Sequence, residues 1–193
     1  MSSTRYLFFW LFISSFLFIS CKNELSKEER DVPEETPAVS EEELVLRLSS
    51  DLITAPRNQE EKDRNTMLNY ALDSLWNVKK TPSGLYYEIT AKREGERLEW
   101  GDRVEVHYEG FFMDGQKFDS SYDRKRTLEF YIGNMIDGWN EALELVASKS
   151  ELRLLVPSRL AYGEKGLVTA TGDTLVPPNQ ALAFKIKVLR KIK

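Results

Sequence analysis

From Pro82 onward the apolar residues of this 193-residue chain change period, from about every fourth position to every second, and that switch constrains the fold most. Leu85-Tyr86-Tyr87-Glu88-Ile89 reads as a strand. In Arg103–Tyr108, Val104, Val106 and Tyr108 share one face while Glu105 and His107 share the other. Leu128, Phe130 and Ile132 repeat the alternation, as do Leu152, Leu154 and Val156, and then Phe184, Ile186 and Val188 with Lys185 and Lys187 opposite. One apolar face per strand predicts an antiparallel sheet with water on its other side. The buried face needs a cover, and a single helical stripe lies among the strands: Trp139, Ala142, Leu143 and Val146, after Asp137 as N-cap. The expected class is α+β.

Two more helices are expected before the sheet. Ser40-Glu41-Glu42-Glu43 has capping-box spacing, and Leu44, Leu48 and Leu52 follow at intervals of four, with Pro56 as the stop. Asn58 with Glu61 offers a second box ahead of the stripe Leu68, Ala71, Leu72, Leu75 and Trp76. These helices either pack on the sheet domain or each other, or serve dimerisation or client capture. The organisation read from the sequence is therefore 1–20 leader, 21–39 tether, 40–80 helical segment and 81–193 sheet domain.

The leader has Arg5 ahead of an almost wholly apolar run, Tyr6–Ile19, too short for a comfortable membrane span and suited to the h-region of a secretory signal. It ends at Cys21, the only cysteine, which has no internal disulfide partner. So placed, Cys21 resembles the lipidated cysteine of a bacterial lipoprotein, although Phe18 stands where the usual lipobox prefers Leu. The alternative is an uncleaved N-terminal anchor. Each buried methylene of an acyl chain contributes about 0.8 kcal/mol, and more than one chain gives stable anchoring. Lys22 and Asn23 follow the cysteine where an inner-membrane retention signal would carry Asp. The expected location is the cell envelope, lipid-anchored at the outer membrane and facing the periplasm. Residues 22–43 are acidic, contain Pro33 and Pro37 and hold few large apolar groups, which reads as a tether. The net charge of −4 comes largely from there, and no basic patch points to nucleic acid.

Several separate motifs then bear on chemistry: Val104–Gly110, Asp114–Ser121, Met135-Ile136-Asp137-Gly138-Trp139, Ala161-Tyr162-Gly163 and Val176–Phe184. In type, order and spacing they resemble the pocket of the FKBP family of peptidyl-prolyl cis-trans isomerases, over roughly residues 82–192. The resemblance implies a bent antiparallel sheet wrapped around one short helix, preceded here by N-terminal helices. It implies that Trp139 forms the pocket floor and that Tyr108, Phe118, Met135, Ile136, Val176 and Phe184 supply walls. The backbone N–H of Ile136 and the hydroxyl of Tyr162 are the implied donors to substrate or macrolide carbonyls, and Asp119 the pocket carboxylate, with a polarising or orienting role. Taken singly, the aromatic residues would read as core, Asp119 and Tyr162-Gly163 as turn residues.

That chemistry needs neither nucleophile nor metal, and no cofactor is implied. The barrier is amide resonance, and uncatalysed X-Pro exchange takes tens to hundreds of seconds. A catalyst must hold the twisted amide better than either planar form, so an apolar, aromatic-walled site with sparse polar groups is suited to it. A single histidine, His107, on the strand face opposite Tyr108, and a single cysteine argue against a transition-metal site or histidine-based catalysis. Three departures from the family pattern bear on the pocket. Leu128 stands where an aromatic wall residue is common, the Gly133–Met135 connection is short, and Gly166–Leu175 is long and lacks histidine. Expected partners are proline-containing polypeptides, macrolides such as FK506 or rapamycin, and the membrane through the lipid. The alternative is a lipid-anchored binding or chaperone module of an envelope complex, gliding-motility machinery among them, with incidental turnover.

Overall fold

A computed structural model describes residues 39–193; the signal-like run, Cys21 and the tether up to residue 38 lie outside the described residues. Helices α1 (Glu41–Ser50) and α2 (Gln59–Asp73) come first, followed by strands β1 (Lys79–Lys80), β2 (Tyr86–Ala91), β3 (Arg103–Phe112), β4 (Lys117–Ser120) and β5 (Leu128–Tyr131). Then come α3 (Asp137–Leu143), β6 (Glu151–Val156), β7 (Leu167–Val168), β8 (Thr174–Val176) and β9 (Leu182–Ile192).

The main sheet is antiparallel, in the order β1-β2-β6-β9-β3-β4, and β5 pairs with the first half of β3. Its inner face buries Val104, Val106, Leu152, Leu154, Val156, Phe184, Ile186 and Val188 around Trp139, Ala142 and Leu143 of α3. The short helix comes close to β6 because residue 138 is glycine: a Cβ there would lie 2.5 Å from a methyl carbon of Val156. Irregular pairing between Glu105 and Val106 helps β3 bend along β9. This is the bent sheet around one helix that the alternation and the motifs imply.

The sheet's other face departs from expectation. Beside β1 it is covered, not wetted: Tyr86, Leu155, Ala181 and Ala183 point outward there and form a second core with Leu44, Leu48, Met67, Leu68, Ala71, Trp76 and Val78. Leu155 breaks the alternation of β6, and the two alanines of the 181–183 stretch leave room for the helices. Val39 also packs on this cluster. The packing reading of α1 and α2 therefore holds for their buried residues.

Both helix starts follow their caps: Glu43 N donates to Ser40 Oγ at 3.2 Å, and Glu61 N to Asn58 Oδ1 at 2.9 Å. The ends differ from expectation. Helix α1 stops at Ser50, before Leu52 and well short of Pro56, and α2 stops at Asp73, so Leu75 leaves the stripe and is exposed. In α3 the N-cap is Ile136, and Asp137 is the first helical residue.

Candidate active site

Four of the residues expected to form the pocket are buried: Tyr108, Trp139, Val176 and Phe184. Phe118, Leu128, Met135, Ile136 and Tyr162 are half-buried and pack against the same cluster. The rings stand edge to face. Trp139 lies 5.1 Å from Tyr108 at 81° and 5.3 Å from Phe184 at 88°, and Phe118 meets Phe184 at 5.9 Å and 79°. Such geometry sets positive ring edges against negative faces and fixes the walls without a polar bond. Gly110 on β3 makes the arrangement possible, because a Cβ there would sit 2.7 Å from Phe118 and 3.0 Å from Phe184. The Trp139 indole nitrogen is buried without a hydrogen-bond partner.

Asp119 leaves β4 beside this box and is held from three sides. The Tyr108 hydroxyl donates to its Oδ2 at 2.5 Å, the backbone N–H of Ser120 to Oδ1 at 2.8 Å, and Arg124 forms an ion pair with Oδ1. A second Arg124 nitrogen donates to the Tyr108 oxygen at 2.5 Å, and the guanidinium lies 5.4 Å from the centre of the Tyr108 ring. Burial, reinforced by hydrogen bonding to the Asp119 carboxylate, pushes the Tyr108 hydroxyl up to about 12. Burial also raises Tyr162, and the charge of Asp119 adds to that rise. A carboxylate so engaged is suited to supplying a fixed field and ill suited to shuttling protons.

Neither the Ile136 N–H nor the Tyr162 hydroxyl forms a hydrogen bond within the described residues. The connection that carries Ile136 is held by the buried Asn140, whose Oδ1 accepts from Gly133 N at 2.9 Å and Met135 N at 3.3 Å while its Nδ2 donates to Met135 O at 2.8 Å. The long segment 166–175 folds back as the β7–β8 hairpin, with Leu167 and Leu175 packed against the pocket cluster. His107 lies outside the box, stacked on Tyr122 at 4.4 Å with Nδ1 3.0 Å from Ser121 Oγ.

Ring contacts thus join Tyr108, Phe118, Trp139 and Phe184, and Asp119 is bonded to Tyr108, while Leu128, Met135, Ile136, Tyr162 and Val176 belong to the same hydrophobic cluster. Three contributors were not singled out from the sequence: Arg124, Gly110 and Asn140. Gly110 lay inside a motif already noted; Arg124 sits in the charged run Asp123–Arg126, where nothing local marks which cation turns inward.

The profile of the FKBP-type peptidyl-prolyl cis-trans isomerase family matches residues 94–189. Among solved structures the chain resembles AtFKBP13, with 30% identity and a TM-score of 0.56, covering 99% of that chain and 60% of this one. It also resembles FkpA from Escherichia coli, at 29% identity and a TM-score of 0.59, covering 63% of that chain and 76% of this one. The chain belongs to the FKBP-type peptidyl-prolyl cis-trans isomerase family. Among curated relatives, a probable FKBP-type peptidyl-prolyl cis-trans isomerase of Haemophilus influenzae is 38% identical over 112 residues, 58% of this chain and 44% of that protein. The FKBP-type 22 kDa peptidyl-prolyl cis-trans isomerase of Escherichia coli K12 is 39% identical over 112 residues, 58% of this chain and 52% of that protein. The match therefore spans about half the length of these relatives.

Proposed function

We propose that the chain is a peptidyl-prolyl cis-trans isomerase acting on X-Pro bonds of exported or envelope proteins. The observation that carries this reading is the aromatic box around Trp139 with two unpartnered donors, the Ile136 N–H and the Tyr162 hydroxyl, at a family-matched site. A proline ring seated on Trp139 would be gripped by Tyr108, Phe118 and Phe184, and its amide carbonyl would leave water. Desolvation destabilises the planar, more dipolar amide and favours the twisted form. The two donors would fix the flanking backbone, and Asp119, pinned by Arg124 and Tyr108, would orient the amide electrostatically. No covalent or metal step is involved. Macrolides would compete for the same box, with Leu128 and the β7–β8 hairpin modulating the fit.

We also propose that the protein is anchored through lipid on Cys21 and works in the envelope, on the strength of the apolar run ending at that residue. A protease-free X-Pro exchange assay on the wild type and Asp119→Val tests the enzymatic reading. Acceleration by the wild type, reduced on the order of tenfold or more in the variant, is expected. A folded wild type that leaves the exchange rate unchanged would make the box a binding surface for proline-containing partners.

A further inference from the structure

Asp63 on α2 is the only charged side chain among the buried residues described. It lies 95 positions from Ser158, yet its Oδ2 accepts from Ser158 N at 2.7 Å and from Ser158 Oγ at 2.6 Å. Its Oδ1 accepts from Gln59 Nε2 at 2.6 Å, and the same nitrogen reaches Asn179 O at 3.1 Å. A carboxylate withdrawn from water persists only with donors such as these. Their position is the informative part. Ser158 opens the turn 158–160 that runs into Ala161 and Tyr162, and Asn179 lies just past Val176 and returns an N–H to Gly163 O at 2.8 Å. Two side chains one helical turn apart on α2 thus tie both legs of the loop system that carries the Tyr162 donor and the Val176 wall.

We propose that α2 is part of the frame of the prolyl site, and that Asp63 is a positioning residue that sets where the Tyr162 hydroxyl stands. Simple packing of α2 does not call for a carboxylate, since an apolar residue would join the second core without desolvating a charge. A buried acid makes sense where a backbone N–H and a hydroxyl of an irregular segment must be held in one geometry. Displacements of about 1 Å from mutations far from the reacting atoms can cost on the order of a hundredfold in rate.

The proposal rests on the isomerase reading, so the experiment carries a readout independent of turnover. Full-length wild type, Asp63→Asn, Ser158→Ala and Ser158→Thr in mild detergent are compared by amide hydrogen exchange and by separate kcat and KM values on a proline peptide. In Asp63→Asn and Ser158→Ala the amides of Ala161 and Asn179 are expected to exchange about tenfold faster, while those of β3 keep wild-type protection. Catalytic efficiency, kcat/KM, is expected to fall about tenfold, with Ser158→Thr, which keeps the hydroxyl, near wild type. Wild-type exchange at Ala161 and Asn179 in the folded variants would overturn the proposal. So would faster exchange spread uniformly through β3, or a loosened loop with unchanged kinetics. If Asp63→Asn does not fold, Ser158→Ala carries the test, because it keeps the carboxylate and two of its three bonds, those from Ser158 N and Gln59 Nε2. An inactive wild type would sink the isomerase reading, and the exchange data would then decide on their own whether Asp63 orders the loop.

Discussion

The triangle of Tyr108, Asp119 and Arg124 shows how one residue changes the meaning of another. Asp119 alone would be a carboxylate at the edge of an apolar box; with Arg124 and the Tyr108 hydroxyl attached it becomes a fixed dipolar assembly. The raised Tyr108 gives that assembly a measurable signature. Unfolded tyrosine loses its proton near its ordinary value of 10.0, whereas Tyr108 keeps it until about 12. Between those values the folded state binds more protons than the unfolded state, so stability falls as pH rises through the window and is unaffected by this group below it. Urea unfolding between about pH 9 and 12 should therefore show a falling midpoint, with a shallower fall in Tyr108→Phe. Burial raises Tyr70, Tyr86 and Tyr162 in the same direction, so some slope persists in the variant.

At the scale of elements, the end of α2 is the point where local pattern and tertiary structure part. Leu75 takes φ 52, Trp76 N donates to Ala71 O at 2.9 Å and Leu75 N to Leu72 O at 3.2 Å, which is a Schellman closure with leucine where glycine is usual. Left-handed backbone costs a β-carbon-bearing residue about 1 kcal/mol or more. Leu75 is exposed, so Leu75→Gly should raise stability by about 0.5–1 kcal/mol in chemical denaturation, and a loss would show that its side chain packs. The sequence made the starts of α1 and α2 legible because side-chain caps act over three residues, whereas α3 starts after Ile136, which supplies no such cap. The ends were less legible: the connection after α1 is held at a distance, the Asn65 side chain accepting from Ile53 N at 2.9 Å and donating to Ile53 O at 2.7 Å, and α2 closes on Leu75, where no glycine marks the stop. Strand alternation and motif order likewise revealed the sheet, its single inner helix and the four rings that meet around Trp139. Arg124 and Gly110 escaped because their importance lies in what faces them in the fold, and Asn140 because its partners, Gly133 and Met135, sit in an irregular connection with no pattern to read.

On the scale of the whole molecule, charge is unevenly spread along the chain. The acidic stretch 22–43 precedes a sheet domain rich in both signs, and Cys21 stands at the head of it. Two or more acyl chains at about 0.8 kcal/mol per buried methylene would keep the protein on a bilayer. Wild type should accordingly fractionate with membranes and carry acyl mass on an N-terminal Cys21, and Cys21→Ser should lose the acyl mass; an unmodified Cys21 in a membrane-bound protein would favour the uncleaved anchor. The second core has a consequence for how such a protein can be rearranged. The segment that the family profile matches begins at residue 94, but its outward-facing Leu155, Ala181 and Ala183 are covered by Tyr86 and by residues of α1 and α2, all of which lie before that point. Cut at the family boundary, the domain would present a greasy flank to solvent, a sticky patch that invites aggregation. Any transplant, natural or engineered, that carries this sheet domain to a new context must bring the two helices with it, so the unit of inheritance is larger than the unit of recognition.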